Sequence, residues 1–242
     1  AIRAIGNSAV AALTTAQVAS MTTDQVQALS TLQVPQLSAT QVGALTTAQV
    51  AAMETRDIAA LTTAQVSQGL TTAQIVALTT AQVASLTTSQ IAALTSEQAA
   101  GLSTANANAL TTAQLLALTT ADLAALSTDN LRALSTSQVV ALSTAQVASL
   151  TTAQTRALST SGLQTITTSL VQNFSDAQIE AMSSAQIRAL TSGQLNALSQ
   201  TQIQAIETSD LAVMSTTQIT TIGSAQIALL STSQISALTS SQ

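Results

Sequence analysis

Apolar residues recur along this chain with a period of eight. From Ile5 to Leu61, and after one extra residue from Leu70 to Leu238, every eighth residue is Leu, Ile, Met or Phe: eight sites plus twenty-two, thirty in all. With that residue as position one, position six is Val, Ile or Leu nearly everywhere, Ala99, Ala107 and Thr155 being the exceptions. Position eight is mostly Ala, position five mostly Gln, and positions two and three mostly Thr or Ser. A fixed period of this kind marks a repeat architecture. It predicts a single repeat domain over 1–242, about thirty octads long, with a one-residue register insertion near 68–69.

The octad Leu78-Thr79-Thr80-Ala81-Gln82-Val83-Ala84-Ser85 shows what one copy encodes. Thr79 followed three residues later by Gln82 is a capping-box pattern: the hydroxyl accepts from the Gln82 N–H, and the Gln side chain reaches back to the N–H of Thr79. Leu78 before the cap and Val83 at the fourth helical position are the pair that closes a hydrophobic staple. Each octad therefore predicts a helix start, a short helix and a return to the next start. Helices this short are far below the ~12 residues that stand alone in water. Neighbouring copies must share a core, with the Ala at position eight permitting close backbone approach. The fold expected is an all-α solenoid, or superhelix, of short two-turn helices, one per octad.

A β-solenoid is the rival, because Thr, Val and Ile favour strands. Continuous alternation with period two is absent, however. One long helix also fails: eight residues at 100° each advance the apolar positions by about 80° per copy, so they wind around the helix instead of forming a face. Charge placement favours short helices. Nine of the ten acidic residues fall at positions two to five, Glu180 at position seven being the exception. Four of the five arginines, Arg3, Arg132, Arg156 and Arg188, fall at position seven. Acids at a helix start and bases at its end are what the helix dipole favours, and a strand offers no reason for the split.

Three places break the rule. Pro35 at position seven removes a helical hydrogen bond and crowds the preceding turn, which predicts a copy only one turn long. Gln68 and Gly69 mark the insertion, where Gly can take a positive φ at little cost. The stretch 162–174 loses Gln at position five (Gly162, Leu170) and holds the only Phe, so a local irregularity is expected there too.

Composition narrows the functions. The 242 residues include no Cys, His, Trp or Tyr, and all five basic residues are Arg. Charged residues are 6% and the net charge is −5, which argues against nucleic acid, since phosphate contacts need Lys and Arg. Without Cys there is no disulfide framework and no thiolate metal site. No run approaches the ~18 apolar residues of a membrane span. The opening AIRAIGNSAV lacks the basic-then-apolar plan of a signal peptide. Because it also lacks Met and starts inside an octad, the chain reads as a processed product or a segment of a longer repetitive chain.

The residues offer little chemistry. Ser and Thr hydroxyls abound, but no His or Lys is present to activate one. They read as helix caps. Glu54 with Asp57, and Glu207 with Asp210, are carboxylates three apart. Such pairs can touch a cation or serve as acid and base, but they read better as Glu and Asp standing in for Thr and Gln in a capping role. Asn173-Phe174-Ser175 is a formal glycosylation sequon, with Asn173 read as a turn residue. Columns of Thr at positions two and three suggest an ordered hydroxyl face that could bind ice, although capping already accounts for the residue type. We expect no enzyme, no catalytic, cofactor-binding or metal-binding residues, no cofactor and no small-molecule substrate.

The unit LTTAQVAAL, present at Leu45 to Met53 with Met in the last place, resembles low-complexity repeat tracts of very large secreted or surface proteins of bacteria, some exported by type I secretion. The resemblance covers almost the whole chain and implies an extracellular structural or adhesive role without active-site residues. A likeness over about eight residues links the Leu-Thr-x-x-Gln-Val run to the first helix of TAL-effector repeats. Their DNA-reading loop and basic charge are absent here, so DNA binding does not carry over.

The function expected is therefore an extracellular or cell-surface structural protein, a subunit or segment of a filament, sheath or surface layer. The alternative is an adhesin spacer or ice-binding module displaying Thr arrays. Its partner would be itself. An uncapped solenoid exposes Leu and Val positions such as Leu230 and Ile235, so head-to-tail and also lateral self-association is expected. Low charge gives little repulsion between chains.

Overall fold

The computed structural model describes residues 4–242; Arg3 lies outside the described residues. The octads fold as foreseen. Thr80–Ser85 is one short helix, with Thr79 as its N-cap and both halves of the capping box formed. The Gln82 N–H donates to Thr79 Oγ1 at 3.2 Å, and the Thr79 N–H donates to Gln82 Oε1 at 2.9 Å. Leu78 and Val83, the staple pair, are both buried. The same unit repeats from Asn7–Ala11 to Thr232–Ala237, mostly as helices of five or six residues. That is about one and a half turns each, slightly less than the two expected. Among the described residues there is no strand, which removes the β-solenoid.

Burial follows octad position. In the copy from Leu78, positions one, five and six (Leu78, Gln82, Val83) are buried, position eight (Ser85) is half-buried, and Thr79, Thr80, Ala81 and Ala84 are exposed. Within each unit, helices pack on those three octads further along: Ser96–Ala100 on Thr120–Ala125, and Thr160–Thr165 on Ser184–Ala189. The chain thus winds into coils within each unit, and apolar positions one and six of successive coils meet in the core. Contacts divide it into two compact units, Ala1–Leu126 and Ser127–Gln242, each built on this plan.

In the first unit, Pro35 reduces its copy to a single 3-10 turn, Val34–Gln36. Its ring has no N–H to continue an α-helix. The inserted residue is absorbed as a π turn over Gln65–Gly69, closed by the Leu70 N–H donating to the Gln65 carbonyl at 2.9 Å. Here the expectation for Gly69 is corrected. No described residue, glycine included, has positive φ. Gly69 is needed for close approach instead: a Cβ there would sit 2.9 Å from the Ala39 carbonyl oxygen, and one on Gly43 would sit 2.9 Å from the Gly69 carbonyl oxygen. In the second unit, the irregularity near 162–174 is a four-residue helix, Thr168–Val171, followed by buried Phe174.

Candidate functional site

The most highly built feature is a column of buried glutamines, each using both ends of its amide. Gln82 accepts from its own helix cap through Oε1, while Nε2 donates to the previous coil, at 2.9 Å to the Val50 carbonyl, 3.3 Å to Ala51 and 2.8 Å to Met53. Gln90 repeats this on Ile58, Ala59 and Leu61, and Gln114 on Val83, Ala84 and Leu86. The acceptors are carbonyls at a helix C-terminus; that of Val50 also takes the Met53 N–H at 3.1 Å, so the amide uses its second lone pair. One side chain thus caps the start of one helix and the end of another.

The clamp also measures the coil. Gln65 reaches back 31 and 28 residues, to Val34 and Leu37, so a coil holds between three and four octads. Gln74, Gln82 and Gln90 reach 32 and 29, because their span includes the inserted residue. Gln114 returns to 31 and 28. The insertion is carried through one coil and then forgotten.

Sequence reasoning found half of this role. A capping box accepts Glu as readily as Gln, yet Glu never occupies position five in this chain. That exclusion was the available signal: the Gln amide both accepts and donates, whereas an ionised Glu only accepts. Asn106, one methylene shorter, donates to the Leu78 carbonyl at 3.0 Å but its helix lacks the full capping box. In two of the copies where Asp replaces Gln, a serine supplies the missing hydrogen. Asp122 accepts from Ser96 Oγ at 2.8 Å and from Thr119 Oγ1 at 2.7 Å. Asp210 accepts from Ser184 Oγ at 2.5 Å. Each serine lies 26 residues earlier, at a position usually held by Thr.

The carboxylate pairs do not act together. Asp57 and Asp210 are buried in the coil contact, whereas Glu54 and Glu207 stay at the helix entrance. The capping role expected of the glutamates is corrected: neither makes a side-chain cap hydrogen bond. The Glu54 side chain turns to Arg56 instead. Among the described residues, no three or more Asp, Glu, His or Cys come together to hold a metal ion. Asn173 is a turn residue, its amide donating to the Ser169 carbonyl at 2.7 Å. Buried Thr155, the polar exception at position six, satisfies its hydroxyl on the Thr151 carbonyl at 3.1 Å.

What remains outside is a weakly charged, hydroxyl-rich surface. Thr at position two caps, and Thr at position three occupies the first helical turn, as in Thr79 and Thr80. Shallow grooves lie between coils, one of them lined by Thr208, Thr232, Ser233, Ser236 and Ala237. No described helix is long and apolar enough to cross a membrane.

A family model described as the ALTTAQ repeat matches residues 1–31, 23–55, 50–88, 69–104, 116–152, 171–206 and 203–240. The unmatched interior stretches, 105–115 and 153–170, include Asn106, Gly162 and Leu170, where position five departs from Gln. No curated protein matches the chain.

Proposed function

The chain belongs to the ALTTAQ repeat family, and we propose that it is a structural segment of an extracellular or cell-surface protein, a passive helical solenoid that builds a filament, sheath or surface layer. The observation that carries this reading is the glutamine column. Its side-chain polarity is spent on joining one coil to the next, as in Gln82 and Gln90, and the exposed positions bear Thr, Ser and Ala with few charges. A coil-on-coil contact is heterologous and does not close, so it supports self-association, head to tail and laterally. The protein acts in this reading without substrate, cofactor or nucleic acid.

Electron microscopy and sedimentation of the purified protein test the proposal. Ordered polymers that dissociate in the L230E/I235E double variant are expected for head-to-tail stacking; polymers that survive it would point to lateral packing. Particles that never associate would overturn the assembly reading in favour of an adhesin spacer. The regular exposed Thr at positions two and three supports ice binding as a second reading. Unaltered ice-crystal growth in the presence of the protein would remove it.

A further inference from the structure

In the second unit, position five donates to the previous coil through Gln178, Gln186, Gln194 and Gln202, at 2.6–3.4 Å. The two octads just before these hold Gly162 and Leu170 instead. Neither side chain has a donor. By the 28-residue register, the carbonyls left without a clamp are those of Leu134 and Leu142. The caps are halved as well. Ser159 accepts from the Gly162 N–H at 3.1 Å and Thr167 from the Leu170 N–H at 3.2 Å, and nothing returns to the cap N–H.

The contact is not loose. Leu163 and Val171 are fully buried, and a Cβ on Gly162 would lie 3.0 Å from Val139 Cγ1. Its character differs, though. Gln clamps are directional, and parting a clamped coil breaks two or three hydrogen bonds per glutamine. Parting this seam breaks no clamp and lets water reach the Leu134 and Leu142 carbonyls. The seam is also one-sided. Gln194 donates to Leu163 and Ile166, and Gln202 to Val171 and Phe174. Residues 158–173 are therefore fastened to the coil that follows and only greased to the coil that precedes them.

We propose that this seam, between residues 158–173 and the preceding residues 131–142, is a built-in release point, the place where the second unit opens first under thermal fluctuation or axial load. Stability in a repeat array is a sum of local and nearest-neighbour terms, so a single weak interface opens without melting the others. The inference does not rest on an extracellular or assembling role, because it is read on dispersed protein.

Hydrogen–deuterium exchange of the whole 242-residue chain tests it. Amides of Val139, Leu142, Leu163 and Val171 are expected to exchange about tenfold or more faster than those of Ile187, Leu195 and Ile203. L170Q, which offers an amide to the Val139 and Leu142 carbonyls, should slow the seam amides at least several-fold. As a converse, Q90L in the first unit should speed exchange across Thr88–Ala92. Equal protection of both sets in the parent protein would overturn the proposal, whether or not L170Q folds. A folded L170Q with unchanged seam exchange would overturn the role given to the clamp.

Discussion

Residues 70–101 and residues 158–173 are built from the same octad and held in different ways. In the first stretch Gln74, Gln82, Gln90 and Gln98 each place an amide on two or three carbonyls of the coil before. In the second, Gly162 and Leu170 place none, and the core positions Leu163, Ile166, Leu170 and Val171 are as buried as elsewhere. Both stretches form helices and both wind into the solenoid. Apolar burial at positions one and six is thus enough to wind the chain. What the glutamine adds is register: apolar contact slides, whereas an amide seated on particular carbonyls does not.

The largest effect expected from breaking this contrast is that of Q82E. If Gln82 were only a capping residue, Glu would serve equally well. The introduced carboxylate can accept from the Thr79 N–H, but at neutral pH it has no proton for the Val50 and Met53 carbonyls, which receive Gln82 Nε2 at 2.9 and 2.8 Å. Burying that charge is expected to cost about 3 kcal/mol or more. Desolvation raises its pKa in the folded state, so the folded variant holds its proton more tightly than the unfolded chain. Stability is then greatest below the unfolded-state value of about 4.3 and falls as pH rises toward the folded-state value. Unfolding midpoints at pH 4 and pH 7 measure this; a variant as stable as its parent at pH 7 would reduce the clamp to a cap.

An intermediate effect is expected from S184A. Asp210 sits where Gln usually stands and takes its cross-coil hydrogen bond from Ser184 Oγ at 2.5 Å. Removing the donor from a buried acceptor should cost about 1–2 kcal/mol. A thermal melt unchanged by S184A would mean that the Ser–Asp pair is not a substitute clamp.

The smallest is R132A. Arg132 pairs with Asp129 at 2.5 Å, with side chains 65% and 71% exposed. Exposed pairs of this kind are worth about 0–1 kcal/mol. Its melting midpoint should stay within about 3 °C of the parent's, with a smaller shift in high salt. A larger loss would show that charges at positions four and seven matter to a fold assigned here to buried amides.

Much of the architecture was legible because it is local. Leu78, Thr79, Gln82 and Val83 lie within six residues of one another, so cap, staple and helix length follow from chain geometry. The charge split of nine acids and four arginines rested on the same local dipole. The effect of Pro35 was equally readable, since a missing N–H acts within its own turn. The misjudged residues are those whose partners lie a coil away. Gly69 looked like a turn glycine and proved to be a clearance for the Ala39 carbonyl thirty residues earlier. Glu54 and Glu207 looked like caps and make none.

The sequence by itself determined that every octad starts, caps and ends a helix, and which two apolar positions face inward, because those are short-range consequences of a few side chains and the peptide backbone. The tertiary structure alone decided how many octads make a coil, and therefore which carbonyls a given glutamine meets. Gln114 meets Leu86 rather than Leu94 or Leu78 because the angle between successive helices sets the pitch. That angle arises from the packing of whole coils and is written in no single octad.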